Sequence, residues 1–91
     1  MIRSFRHKGL KELFEIGESR RLAPALQRRV AVRLSALAQA ERPQDVNLPG
    51  FDFHGLHGNP KRYSIHVNGP VCITFAFDGT DVIDVDLEQY H

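Results

Sequence analysis

The sequence has a single cysteine, Cys72, so no internal disulfide can form, which fits a reducing compartment. No apolar run approaches the roughly 18 residues that a membrane-spanning helix needs. The opening Met1-Ile2-Arg3-Ser4-Phe5-Arg6 is basic, but no apolar segment or small-residue cleavage site follows it. No signal peptide is expected, and a cytoplasmic location is. Internal repeats and low-complexity stretches are missing too. Charge of one sign is scarce, because the net charge is only +1. What is present is ordinary for a globular domain: 42% apolar and 25% charged residues argue against disorder. At 91 residues the chain reads as one small domain, 1–91. Such a chain buries about 60–65% of its unfolded surface, enough for a thin core and a shallow site.

The small net charge hides an asymmetry. Residues 1–42 carry ten Lys/Arg and four Glu, a net of +6, and residues 43–91 carry two Lys/Arg and seven Asp/Glu, a net of −5. A basic front and an acidic back hint at a charged partner.

Hydrophobic periodicity orders the chain. Residues 2–6 read as an extended start. Leu10, Leu13 and Phe14, followed by Ile16, give one helical face from Lys8 to Ile16, with Gly17 as C-terminal cap. Pro24 suits a first helical position, and Leu26, Val30, Leu34 and Leu37 continue as one stripe. Arg28, Arg29 and Arg33 lie off that stripe and, with Arg20 and Arg21, predict a basic patch on the outer side. Residues 40–51 read as a surface loop. The period then becomes two: a short strand over 51–57, then Tyr63 to Val67, Val71 to Phe77, and Ile83 to Leu87. Asn68-Gly69-Pro70 and Asp78-Gly79 are the turns.

Burial sets the architecture. The apolar strand face of Tyr63, Ile65, Val67, Ile73, Phe75, Phe77, Val85 and Leu87 needs cover, and the two helices are the only cover available. The expected fold is α+β: two N-terminal helices on one face of a mainly antiparallel four- to five-stranded sheet, in the order β-α-α-β-β-β-β. Ser64, His66, Cys72, Thr74 and Ala76 are expected on the other face, toward solvent or ligand.

Several segments resemble the HigB toxins of the RelE/ParE superfamily. They are residues 1–10 (MIRSFRHKGL) with Leu13-Phe14, residues 45–58 (DVNLPGFDFHGLHG), Tyr63 to Gly69, Ile73-Thr74-Phe75, and the ending Gln89-Tyr90-His91. The likeness runs along essentially the whole chain and implies a RelE-like fold. It implies the toxin of a type II toxin–antitoxin pair that enters the ribosomal 30S A site and cuts the mRNA being translated. It also implies a HigA-type helix-turn-helix antitoxin, through which alone operator DNA is bound, and no membrane partner. His54, Tyr90 and His91 match family site positions. His57 stands where many members have Lys, Cys72 where many have Arg, and Gln89 where many have Asp.

The chemistry implied requires no metal and no cofactor. A base takes the 2′-OH proton, an acid protonates the leaving 5′-oxygen, and cations or donors stabilise the phosphorane. Imidazole titrates near neutrality, which makes His54 and His91 the acid/base candidates, without saying which is which. His57, when protonated, would stand in for a cation, and Tyr90 would stack on a splayed base. Lys61 and Arg62 are the only basic residues of the second half, and they are the candidates for the reacting phosphate. Arg20, Arg21, Arg28, Arg29 and Arg33 would hold the RNA backbone. Cys72 and Gln89 would line the site.

Blander readings stand beside these. His66 reads as a solvated strand residue, His7 as surface or helix cap, Cys72 as inert packing, His91 as a frayed end, and the arginine run as a solvated face. A zinc site of His54, His57, Cys72 and His91 is disfavoured, because strand positions three apart point to opposite faces. Two other functions suit the same fold. One is a non-enzymatic ParE-like toxin that binds a protein target. The other is a weakened toxin that serves as an antitoxin-binding corepressor.

Overall fold

In the computed structural model, which describes residues 1–89, the chain folds in two layers. The order is helix α1 (Lys8–Ile16), helix α2 (Pro24–Gln39), a 3-10 turn at Pro43–Val46, then strands β1 (His54–Gly55), β2 (Arg62–Asn68), β3 (Val71–Asp78) and β4 (Asp81–Gln89). The strands form one antiparallel sheet in chain order. The α+β expectation holds, and the roles expected of Tyr90 and His91 fall outside the described residues.

Each element has a local cause. The α1 helix starts at His7, whose Nδ1 accepts from the Leu10 N–H at 3.3 Å. It stops at Gly17, which adopts φ 100° and donates to the Leu13 carbonyl. Pro24 opens α2, where its missing N–H would have had no helical partner anyway. The two-residue turn Gly79-Thr80 links β3 to β4, with Gly79 at φ 64°.

Residues 2–5 make a fifth, short line of pairing. Ile2 and Phe5 bridge in parallel to Val82 and Val85. Arg3 donates its N–H to the Val82 carbonyl at 2.7 Å, and Arg6 to the Val85 carbonyl at 2.8 Å. This edge covers the outer side of β4, which would otherwise expose unpaired backbone groups. It also places Arg3 beside Asp78 and Asp81, and Arg6 beside Asp84. Part of the basic front is thus folded onto the acidic back.

The core lies between helices and sheet. Leu10, Val30, Leu34, Leu37, Ile65, Val67, Ile73, Phe75, Val82 and Val85 are fully or almost fully buried there. Tyr63 stacks on Phe75 with centroids 5.8 Å apart, and Phe53 stacks on Tyr63 at 5.6 Å.

Four expectations need correction. The strand over 51–57 shortens to His54–Gly55, because Asp52 takes φ 44° and breaks the extended run. The alternation that starts β4 at Ile83 changes phase: Val82 and Val85 are buried, and Ile83 is only half-buried. A bulge sets Ala76 opposite Ile83 but Thr74 opposite Asp86, with Asp84 at φ 53° absorbing the extra position. The bulge is held by Ser4, whose Oγ accepts from the Asp84 N–H at 2.8 Å. Phe14 lies 41% exposed, leaning on Phe5 at 5.8 Å rather than entering the core.

The fourth correction is Arg33. It is only 8% exposed and not on an outer patch. Its Nε donates to the His66 carbonyl at 2.7 Å and its Nη1 to the Arg29 carbonyl at 3.2 Å, and the guanidinium lies 4.7 Å from the Phe51 ring centroid. Burial, helped by the Arg29 charge, pulls its pKa down from the usual guanidinium range. The guanidinium rivets α2 to β2 and to the loop before β1.

Candidate active site

The face of the sheet away from the helices is polar. Registered neighbours point to the same side of a sheet. One row across it is therefore His54, Ser64, Thr74 and Asp86, and the next is His66, Cys72 and Glu88. His54 sits on this face because Phe53, one residue earlier, is held on the other by Tyr63.

This face is less open than expected. Ser64 is 7% exposed, and Thr74 and Ala76 are fully buried. A chain of side chains runs across this face. Arg62 Nη2 donates to Thr74 Oγ1 at 2.9 Å and to the Asp84 carbonyl at 2.9 Å. Thr74 Oγ1 donates in turn to Glu88 Oε2 at 2.5 Å. Burial, with help from nearby Arg6, lowers the Arg62 pKa. Arg62 is therefore tied to the sheet. At the β1 end of the face His54 is exposed, while His66, Cys72, Asp86 and Glu88 are half-buried.

The residues around that end differ in character. His54 is exposed, and its Nδ1 lies 2.7 Å from the Asp52 carbonyl oxygen and 3.6 Å from Asp52 Oδ1. His66 meets the Gly69 carbonyl through Nε2 at 3.0 Å. Cys72 is half-buried. Burial first, then the charges of Asp52 and Glu88, push its thiol pKa up. That disfavours the thiolate, and Cys72 suits packing better than nucleophilic attack.

The other candidates scatter. His57 and Lys61 are exposed in the β1–β2 connection, where Lys61 Nζ lies 5.7 Å from the Tyr63 ring centroid. Gln89 ends β4 opposite Val71, on the helix-side row, and Glu88 takes the open-face position instead. Arg20 and Arg21 border a shallow hollow of about 900 Å³ that shares no residue with the open face. Arg21 is paired there with Glu12 at 3.2 Å. Arg28 and Arg29 are exposed on α2, and Arg29 reaches the Val67 carbonyl at 3.4 Å. Among the described residues no three His, Cys, Asp or Glu side chains gather as a metal-holding group.

Sequence reasoning missed Asp52 and Glu88, and it placed Thr74 on this face without giving it a role. Only Thr74 left a signal, as a hydroxyl in an otherwise apolar central strand.

Two helices on one side of an antiparallel sheet, with a histidine-bearing polar face on the other, is an architecture that suits a RelE-like toxin. A family model described as the RelE-like toxin of type II toxin–antitoxin system HigB matches residues 3–91, and the chain belongs to this HigB-like toxin family. The Endoribonuclease HigB of Proteus vulgaris is 37% identical over 92 residues, covering the whole of both chains. No helix among the described residues is long and apolar enough to cross a membrane.

Proposed function

We propose that the protein is an endoribonuclease toxin that cuts mRNA in the 30S A site of the ribosome and acts in the cytoplasm. The observation that carries this reading is the end-to-end likeness to a protein named Endoribonuclease HigB. The geometry supports it through His54, an exposed imidazole with one nitrogen already engaged, on a shallow face. A shallow site suffices if the ribosome holds the substrate and supplies the missing walls. His54 and His91 exchange the protons, Tyr90 stacks on a base, and His57 with Lys61 supplies positive charge near the phosphate. No metal or cofactor takes part. A HigA-type helix-turn-helix antitoxin neutralises the toxin and carries it to operator DNA.

The test is cleavage of mRNA on programmed ribosomes, with wild type beside His54→Ala and His91→Ala. Each substitution should lower the cleavage rate by about 10²–10⁴-fold, the usual range for a general acid or base. Intact mRNA and unimpaired translation with the wild type would overturn the reading.

One observation favours a second reading. The Arg62 guanidinium is tied to Thr74 and to the Asp84 carbonyl, and Cys72 adds no cation, so positive charge on the face is thin. A weakened toxin that serves as corepressor would leave growth unaffected when expressed, yet still change operator binding by the antitoxin.

A further inference from the structure

A neutral imidazole has two tautomers with opposite uses, and the hydrogen bond at one nitrogen decides the state of the other. His54 Nδ1 lies 2.7 Å from the backbone oxygen of Asp52. A carbonyl oxygen only accepts, so this contact requires the proton on Nδ1.

The carbonyl is aimed by an unusual backbone. Asp52 has φ 44°, in the left-handed region that most side chains avoid and that Asp and Asn tolerate best after Gly. Both neighbours are fixed. Phe51 is 6% exposed, its carbonyl accepts from the His66 N–H at 2.6 Å, and its ring lies against the Arg33 guanidinium. Phe53 is stacked on Tyr63. The turn is thus held between two aromatic anchors.

The Asp52 carboxylate is a weaker influence. Its Oδ1 stands 3.6 Å from Nδ1, beyond hydrogen-bond reach, and the side chains of Asp52 and His54 are 74% and 60% exposed. Solvent and salt screen such a pair.

We propose that residue 52 is the positioning residue of His54. The left-handed turn points its carbonyl at Nδ1, fixes the Nδ1–H tautomer, and leaves Nε2 as the unprotonated nitrogen. In the endoribonuclease reading, on which this last part rests, His54 is then the general base. Nε2 takes the 2′-hydroxyl proton, the 2′-oxygen bonds to the adjacent phosphorus, and the bond from phosphorus to the 5′-oxygen breaks. The products are a 2′,3′-cyclic phosphate and a 5′-hydroxyl, whose proton comes from a second, protonated imidazole.

The test is the His54 tautomer in the ¹⁵N-labelled full chain. It is read by long-range proton–nitrogen correlation about two pH units above the ordinary imidazole value near 6.5. The His54→Gln variant assigns the signals. Wild type, Asp52→Asn and Asp52→Gly should all give the Nδ1–H pattern, because all three residues tolerate a positive φ. Asp52→Val, β-branched and unsuited to that φ, should lose the pattern. On ribosomes the Asn and Gly variants should cut within about twofold of wild type, and the Val variant about 10²-fold more slowly, the low end of a general base's contribution. Native amide signals from β2 to β4 separate a moved carbonyl from an unfolded chain.

An Nε2–H pattern in the wild type overturns the proposal without reference to the variants. So does an Asn variant as slow as the Val variant, since the carboxylate would then be the group that matters. An Nδ1–H pattern in a wild type that cuts no RNA upholds the tautomer and overturns the endoribonuclease reading instead.

Discussion

The two faces of the sheet are built from the same strands and behave differently. Toward the helices, Ile65, Ile73, Phe75 and Val85 are dry and held by shape. On the other side, Thr74 is just as hidden, but it is the middle of a chain of polar side chains, Arg62 to Thr74 to Glu88. A buried phenyl ring cannot be replaced by water, whereas a polar chain at the surface is partly remade by it. One face therefore carries the stability, and the other is free to carry chemistry.

Substitutions should separate the two faces, and the largest effect belongs to the dry one. Phe75→Ala leaves a cavity between the stacked Tyr63 ring and the edge-on Phe77 ring and should cost about 3–5 kcal/mol in urea unfolding. A loss below about 1 kcal/mol would mean that the helices collapse into the gap and that the faces are not distinct. Arg33→Met comes next, because it keeps the length but strips the guanidinium from the His66 carbonyl. A loss of about 1–3 kcal/mol is expected. The same variant should loosen Phe51, seen as faster hydrogen exchange at the His66 amide, which the Phe51 carbonyl accepts.

Thr74→Val is the smallest of the three and the sharpest comparison. It keeps the volume and removes the hydroxyl between Arg62 and Glu88. Both partners are near solvent and can rehydrate, so about 1 kcal/mol is expected in the same unfolding assay. A loss as large as that of Phe75→Ala would show the polar face to be as rigid as the apolar one.

The fold was largely legible in the sequence because its signals are local. Gly17, Pro24, Asn68-Gly69-Pro70 and Asp78-Gly79 each mark a boundary through a backbone preference that needs no tertiary partner. The alternation of β2 and β3 was equally plain. What failed depends on distant residues. The alternation of β4 changes phase at Ile83 because Ser4, far away in sequence, stabilises the bulge at Asp84. Arg33 stands three residues after Val30 and four before Leu37, so its spacing is as good a core spacing as that of Leu34. Its charge concealed this, although an arginine stem can be buried when its head finds carbonyls.

The site was legible only by residue type. The sequence offers His54 as an imidazole, but what holds it is a backbone carbonyl, and no side-chain pattern reports where a carbonyl points. Asp52 reads as one more turn residue until its φ is known. Cys72 carries two readings in the sequence, site-lining and packing, and burial pushes its thiol pKa up.

The parallel pairing of residues 2–5 with β4 bears on how the chain is made. Residues 2–5 find their partners only when Val82 and Val85 have been added, some eighty positions later. A loop of that length closes slowly, and nothing earlier in the chain can substitute for the missing strand. During translation the helices and the β2–β3 hairpin have all their residues while the edge of the sheet is still missing. The Arg62–Thr74–Glu88 chain also waits for its last member. The polar face therefore exists only once β4 has been made, and a chain that stops before β4 has no assembled face with which to act.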